Sequence, residues 1–281
     1  MTTSAVGVAV LDDIDARPGS TTSLLRTLIG VHLRPLGGVI SSAALVRLAG
    51  DLGIPPARAR TAITRLKQRG LLLSTSGGYA IDPAALPMLR RGDRRIFDVR
   101  TMSEDDGWML VSATVPESRR DLRHQLRRRL LYLGAGSVAP SLWILPGHLF
   151  DEAHELLHEI GAREYATLFL ATDPQPSRPL PEAVADWWDL VALRAEHDRF
   201  LASVDALDLT RPFAAHLGLI DSWRVLPYID PGLPTALLPA DWPGARSVET
   251  FQRLHAELAA RAADHVRAVA ADDRPATPPA R

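Results

Sequence analysis

There is no cysteine among the 281 residues. That excludes disulfides, thiolate metal sites and cysteine nucleophiles, and it fits a reducing compartment. Aromatic residues are sparse at 6%, whereas 46% of the chain is hydrophobic and 23% charged. That is enough apolar material to bury the cores of ~2 domains of ordinary size. Long apolar runs are missing as well: none approaches the roughly eighteen residues of a bilayer-spanning helix. At the N-terminus the short apolar stretch Val6–Leu11 has no basic leader and runs into Asp12, Asp13 and Asp15, so no secretory signal is expected. These absences together predict a cytoplasmic protein without a membrane partner. Phosphate-binding glycine loops, dinucleotide fingerprints and serine nucleophile elbows are also lacking. Neither a cofactor nor an enzymatic activity is expected.

What is present is unevenly spread. The net charge is −1, yet Ser20 to Arg100 holds thirteen basic residues against Asp51, Asp82, Asp93 and Asp98, a segment charge of +9. The remainder is therefore acidic. A basic front end points to a polyanion partner for one domain, although a solvated arginine-rich face has the same composition.

Residues 1–19 show no periodicity and read as a loose arm. Helical spacing begins near Thr21, with Leu24, Leu25, Leu28 and Ile29 on one face, and breaks at Pro35-Leu36-Gly37-Gly38. A second helix starts at Ser41 or Ser42, turns Leu45, Leu48, Ala49 and Leu52 inward, and ends at Gly53. A third opens with Pro55-Pro56 and runs to Gln68 before Gly70. Two short apolar runs, Leu71–Leu73 and Tyr79–Ile81, then flank Ser76-Gly77-Gly78, the sequence of a tight hairpin. Three helices followed by a hairpin is the order of a winged helix-turn-helix, expected over residues 20–101 with a further helix from Pro83 to Thr101.

From Trp108 the pattern changes. Strands are expected at Trp108–Val115, Leu142–Leu145 and Tyr165–Ala171, alternating with helices at Pro116–Leu133 and His148–Ile160. That order predicts a ferredoxin-like α+β domain over 102–173. Pro174–Pro181 reads as a linker. A mainly helical domain over 174–271 follows, with helices at Glu182–Val204 and Val248–Ala271 around a Pro-, Trp- and Asp-rich loop, Pro227–Gly244. Residues 272–281 read as a disordered tail. The fold class is thus α+β, multidomain.

The most informative stretch is Ala57–Gln68. Ala59, Ala62, Ile63 and Leu66 share one face of a 3.6-residue period and face the first two helices. The other face presents Arg58, Thr61, Arg65 and Gln68, flanked by Arg60, Thr64 and Lys67. Arginines on such a helix can hold guanine edges or phosphates, and threonine hydroxyls reach either. Ser74, Thr75, Ser76 and Tyr79 complete the candidate DNA-binding set as the wing. A merely solvated basic helix is the plain alternative, and the hairpin that follows argues against it.

One motif points elsewhere. His154-Glu155-Leu156-Leu157-His158 is H-E-x-x-H on an expected helix, the arrangement with which zinc hydrolases hold metal and activate water. A zinc-dependent hydrolase using His154, Glu155 and His158 is therefore the alternative function. Its third ligand would have to come from Glu182 or His197, beyond the proline-rich linker. Leu149, Ala153, Leu156, Leu157 and Ile160 would leave both histidines on the helix flank, so no metal site is expected. Arg119, Arg123 and Arg127 form a cationic stripe fit for phosphates. Trp187 and Trp188, with Trp223, Tyr228 and Trp242, could line an acyl pocket, though aromatics at helical spacing more often build core. Glu104-Asp105-Asp106 reads as a capping or solvated acidic turn.

The same residues resemble the PaaX family of bacterial transcriptional regulators. Arg60-Thr61-Ala62-Ile63-Thr64-Arg65-Leu66 with Gly70-Leu71-Leu72 is similar to that family's recognition helix and turn into the wing, where many relatives have Trp at the position of Leu72. Trp108, Pro116-Glu117, Arg123, Leu126-Arg127, Leu130, Gly134-Ala135-Gly136, Pro140 and Trp143-Ile144 to Pro146 follow its central pattern. Asp230-Pro231-Gly232-Leu233-Pro234 and Leu237–Gly244 resemble its C-terminal signature. Trp188-Asp189-Leu190 and Phe200 fit too, with His197 where Tyr is usual. The resemblance implies a homodimeric repressor on a palindromic double-stranded DNA operator, released by a small-molecule effector such as phenylacetyl-CoA or another acyl-CoA. Arg123, Arg127, Trp188 and His197 are the candidate ligand-binding residues. The central domain also resembles in outline the small CRISPR adaptation nucleases. Those need a strand-end aspartate, and this strand ends Ser112-Ala113-Thr114, so no catalytic residue is assigned.

Overall fold

The computed structural model describes residues 17–103 and 106–272. Most of the expected N-terminal arm, Glu104, Asp105 and the tail from residue 273 lie outside the described residues. Helices and two antiparallel sheets make up the chain, which divides into two compact units. The first gathers the segment up to Phe97, Ala202–Arg224 and the chain from Glu249 onward; the second holds Asp98–Leu201 and Val225–Val248.

In the first unit, α1 (Thr21–Leu28) starts at Ser20, whose hydroxyl accepts the Ser23 N–H at 3.2 Å. It continues as one π-helical stretch, Ile29–Leu33. Strand β1 (Val39–Ser41) leads into α2 (Ser42–Asp51), where Ser41 Oγ caps the Ala44 N–H at 2.9 Å. Next come α3 (Pro56–Gln68), β2 (Leu72–Ser74), β3 (Gly78–Ile81) and α4 (Leu86–Phe97). The expected helix to Thr101 is thus shorter at its end. The sheet order is β1-β3-β2, with Ser41 opposite Gly78. A Cβ on Gly78 would lie 2.1 Å from the Ile40 carbonyl oxygen, so only glycine lets β1 pair there.

Leu25, Leu28, Leu45, Leu48, Ala59, Ile63 and Leu66 fill the core under these elements. Two helices from far along the chain complete it. Phe213 and Leu217 come from α9 (Pro212–Trp223), and Ala262 and Val266 from α11 (Gly244–Ala271). Each fully buried leucine, isoleucine, valine or phenylalanine here contributes about 1.5–3 kcal/mol.

A buried polar knot fastens α9 to α1. Asp221 and Arg224 are 1% and 2% exposed. The Asp221 carboxylate accepts the Ser23 hydroxyl, the Thr27 hydroxyl at 3.0 Å, the Gly19 N–H at 2.6 Å and Arg224 Nε at 3.2 Å. Arg224 also donates to Ser23 Oγ at 2.7 Å.

Three histidines also meet inside this unit. His216 and His255 share a hydrogen bond of 3.0 Å, and the His32 ring lies 5.7 Å from that of His216. Burial lowers His32 to about 4; burial, then the neighbouring histidines, lower His216 to about 3. Both are neutral in the folded and unfolded chain at pH 8. Below the ordinary value of 6.5 the unfolded chain takes up protons that the folded one refuses, so stability falls as pH drops from 6.5 toward 4. The slope approaches about 1.4 kcal/mol per pH unit for each such histidine. Thermal melts should therefore be flat from pH 8 to 7 and fall below that window. His32 Nε2 has no hydrogen-bond partner among the described residues, so His32→Phe should make the fall shallower.

The second unit runs β4 (Trp108–Ala113), α5 (Arg120–Tyr132), β5 (Gly136–Ala139), β6 (Leu142–Pro146), α6 (Phe150–Glu159) and β7 (Ala166–Ala171). The sheet is antiparallel in the order β5-β6-β4-β7. Alternation along β4 and β6 sends Met109, Val111, Trp143 and Leu145 to one face, against Leu126 and Leu130 of α5 and Ala153 and Leu157 of α6. Trp108 and Ile144 point the other way. They meet Val184 of α7 (Leu180–Trp187), Trp188 and Leu233, the last a few residues after the short helix α10 (Leu226–Ile229). Both faces are covered, which is why β4 and β6 read as nearly continuous apolar runs. The single expected helix Glu182–Val204 is two helices, α7 and α8 (Leu190–Asp205), because Trp188 is extended at φ −116° and ψ 140°.

Candidate nucleic-acid interface

Helix α3 lies as its periodicity requires. Ala59, Ala62, Ile63 and Leu66 are buried, and Arg58, Arg60, Thr61, Thr64, Arg65 and Gln68 are exposed, with Lys67 half-buried. Pro55 and Pro56 occupy its start, where a missing N–H costs nothing. The guanidinium groups of Arg58, Arg60 and Arg65 have no ion-pair or hydrogen-bonding partner among the described residues. Three guanidiniums on one exposed face with no internal acid to neutralise them make a strong local positive potential.

The hairpin stands beside this face. Thr75 N–H donates to the Gly78 carbonyl at 3.0 Å to close the turn. Ser74, Thr75 and Ser76 are exposed, and Tyr79 is half-buried. The Lys67 ammonium lies 5.9 Å from the centre of the Tyr79 ring, a cation–π contact that ties α3 to β3. The hydroxyls of Thr61 and Thr64 each donate at 3.0 Å to a carbonyl one turn back, Ala57 and Arg60. Their hydrogens are therefore engaged, and they face solvent as acceptors.

The candidate ligand residues are placed differently. Trp188 is buried, donates Nε1–H to the Gly134 carbonyl at 2.9 Å, and lies so close to Gly136 that a Cβ there would meet the indole at 2.7 Å. His197 is buried, bonds Asp230 Oδ2 at 2.8 Å and meets the Trp242 ring edge-on at 5.7 Å. The other oxygen of Asp230 accepts the Gly232 N–H at 2.8 Å. Gly232 has φ +68°, and a Cβ on it would stand 2.6 Å from the Arg100 carbonyl oxygen. Arg194 stacks 5.5 Å from the Trp242 ring and pairs with Asp241 at 2.7 Å. The Asp-Pro-Gly and Asp-Trp-Pro-Gly segments are thus internal fasteners for α8. Arg123 and Arg127 are on the exposed face of α5, Arg123 paired with Glu117 at 3.3 Å.

On α6, His158 is exposed and His154 half-buried, their rings 4.8 Å apart. Among the described residues no group of three or more His, Asp or Glu side chains is placed to hold a metal ion. The zinc reading therefore lacks its third ligand, and nothing in the comparisons supports it. Asp106 caps the Ser103 N–H at 2.9 Å and pairs with Arg100 at 2.7 Å, as a capping turn would. No helix among the described residues is long and apolar enough to cross a membrane.

An α3 face of unpaired arginines beside a hairpin, in a chain of mixed helices and two antiparallel sheets, is the framework on which comparison with known proteins bears. Three family profiles match in order: "PaaX-like protein" over residues 20–81, "PaaX protein central Cas2-like domain" over 101–183, and "PaaX-like protein C-terminal domain" over 188–268. The transcriptional repressor PaaX of Escherichia coli (strain K12) is 30% identical over 248 residues, covering 82% of this chain and 78% of that protein. The solved structure of the uncharacterized protein Rv0674 from Mycobacterium tuberculosis shares the fold with a TM-score of 0.59 at 24% identity, over 89% of this chain and 99% of that one. The chain belongs to the PaaX family.

Proposed function

We propose that this protein is a sequence-specific DNA-binding transcriptional regulator, acting as a repressor like its E. coli relative. The observation that carries the reading is the α3 face, where Arg58, Arg60 and Arg65 are exposed and unpaired beside the β2–β3 turn. In this reading residues 20–101 are a winged helix-turn-helix, α3 enters the major groove and Ser74–Tyr79 is the wing. The βαββαβ order of the second unit is read as ferredoxin-like. Two copies would place two such helices in successive major grooves of a palindromic operator, about one helical turn apart. An acyl-CoA or related aromatic metabolite would release the grip.

A mobility-shift titration on DNA upstream of the protein's own gene tests this. The expected result is a specific shift that weakens steeply with salt, because each neutralised phosphate releases counterions. Sedimentation of the complex should give two chains per operator. No shift at low salt on any upstream fragment would overturn the reading.

A further inference from the structure

Within the first unit a cleft of about 460 Å³ opens where the end of α2, the start of α9 and one face of α11 meet. Its volume is that of a small-molecule site, commonly about 300–1,000 Å³. Arg211, Pro212 and Phe213 form one wall, Arg261 and His265 another, and Asp51 the floor towards α2. The charges are asymmetric. Asp51 is engaged by His265 Nε2 at 2.8 Å, and the other acid on the lining, Asp264, is paired with Arg267. Arg211 has a main-chain carbonyl, that of Asp51, as its hydrogen-bond acceptor. Arg261 is exposed and has no partner among the described residues. Arg211 also lies near the Asp208 carboxylate, whereas Arg261 has no carboxylate of its own among the described residues. The Phe213 and His265 rings lie 4.9 Å apart along its wall, beside the apolar Pro212. Helix α9 also opens here with no side-chain cap, which adds positive potential to the same wall.

We propose that this cleft binds an organic anion, with Arg211 and Arg261 taking its carboxylate or phosphate while Pro212 and Phe213 carry its apolar part. The site is tied to the DNA-reading helix, a statement that rests on the function proposed above for α3. Asp51 is the last residue of α2, which directly precedes α3 in the chain. Its carbonyl holds Arg211 and its carboxylate holds His265. An anion that engages Arg211 competes with Asp51 for it and loosens the end of α2 from α9. Ligand and DNA are then coupled through one shared arginine.

Calorimetric titration of the full chain with benzoate, phenyl phosphate and inorganic phosphate tests the site. Saturable binding of benzoate or phenyl phosphate, at least tenfold tighter than inorganic phosphate, is expected. Preference between the first two tells a carboxylate ligand from a phosphate one. Arg261→Ala, which removes no internal contact, should weaken that binding at least tenfold without changing the melting temperature of the free protein. Failure of both aromatic anions to bind, or equal binding by Arg261→Ala, would overturn the proposal. Repeating the DNA titration with the bound probe separates the two readings. A ligand that binds in an Arg261-dependent way but leaves DNA affinity unchanged keeps the site and overturns its coupling to α3. Absence of DNA binding by the free protein counts against the function proposed for α3 alone.

Discussion

Replacing Arg65 by alanine is expected to weaken operator binding by about 1–3 kcal/mol, roughly 5- to 150-fold. The side chain is exposed on α3, its neighbours Ala62 and Leu66 are buried, and it has no internal partner among the described residues. Its loss therefore takes nothing from folding, and the melting temperature should hold. Fluorescence anisotropy on operator and scrambled duplexes then separates two roles. If the guanidinium holds a guanine edge, affinity for the operator falls and the preference over scrambled DNA shrinks. If it clamps a phosphate, both affinities fall together and the salt slope drops by about one. Removing Arg58, Arg60 and Arg65 together should reduce binding to any duplex below detection at physiological salt. An Arg65→Ala protein with unchanged affinity for both duplexes would take α3 out of the interface.

The largest effect on stability is expected at Asp221. Substituting alanine takes the Asp221 carboxylate away from Arg224, a buried charge 2% exposed. It also strands the hydroxyls of Ser23 and Thr27, which now donate to that carboxylate. Breaking a buried pair from one side costs about 3–5 kcal/mol, because the remaining charge keeps its desolvation penalty and loses its compensation. Chemical denaturation of Asp221→Ala should show that loss in the first unit. The double variant Asp221→Ala with Arg224→Leu should recover part of it, since no buried charge is then left. A single variant within about 0.5 kcal/mol of the parent would show that the knot does not hold α9 to α1.

The ease of reading these features from sequence follows the range of the contacts behind them. Helix α3 was legible because Ala59, Ala62, Ile63 and Leu66 recur at helical spacing and pack on local neighbours. Its exposed arginines followed from the same period. Strands β1 and β5 were not, at three and four residues each. A strand so short shows no alternation, and β1 exists through its pairing with β3 some forty residues on. Helix α9 escaped for the opposite reason. Phe213, His216, Leu217, Ile220, Asp221 and Trp223 are buried around most of its circumference, so no polar stripe marks a period. The Asp221 knot and the cleft at Arg211 join residues about two hundred and one hundred and sixty positions apart, and no local pattern announces such a meeting. Trp188 and His197 stand out in the sequence only as candidate ligand-binding residues. What sequence could not give was their surroundings, in which each already holds a hydrogen bond of 2.8–2.9 Å inside the fold.

The absence of cysteine makes the central claim directly measurable, since one introduced thiol is the only one in the chain. An iron-chelate cleavage reagent can be attached at Gln68→Cys on α3, at Ser76→Cys in the hairpin turn, or at Gln125→Cys between the exposed arginines of α5. All three positions are exposed. On bound operator DNA, the reagent on α3 and the one on the hairpin should each cut at short, adjacent positions, repeated symmetrically in both half-sites, with the α5 position cutting weakly or not at all. Strong cutting from α5 with none from α3 or the hairpin would contradict the account, placing the DNA against the second unit instead.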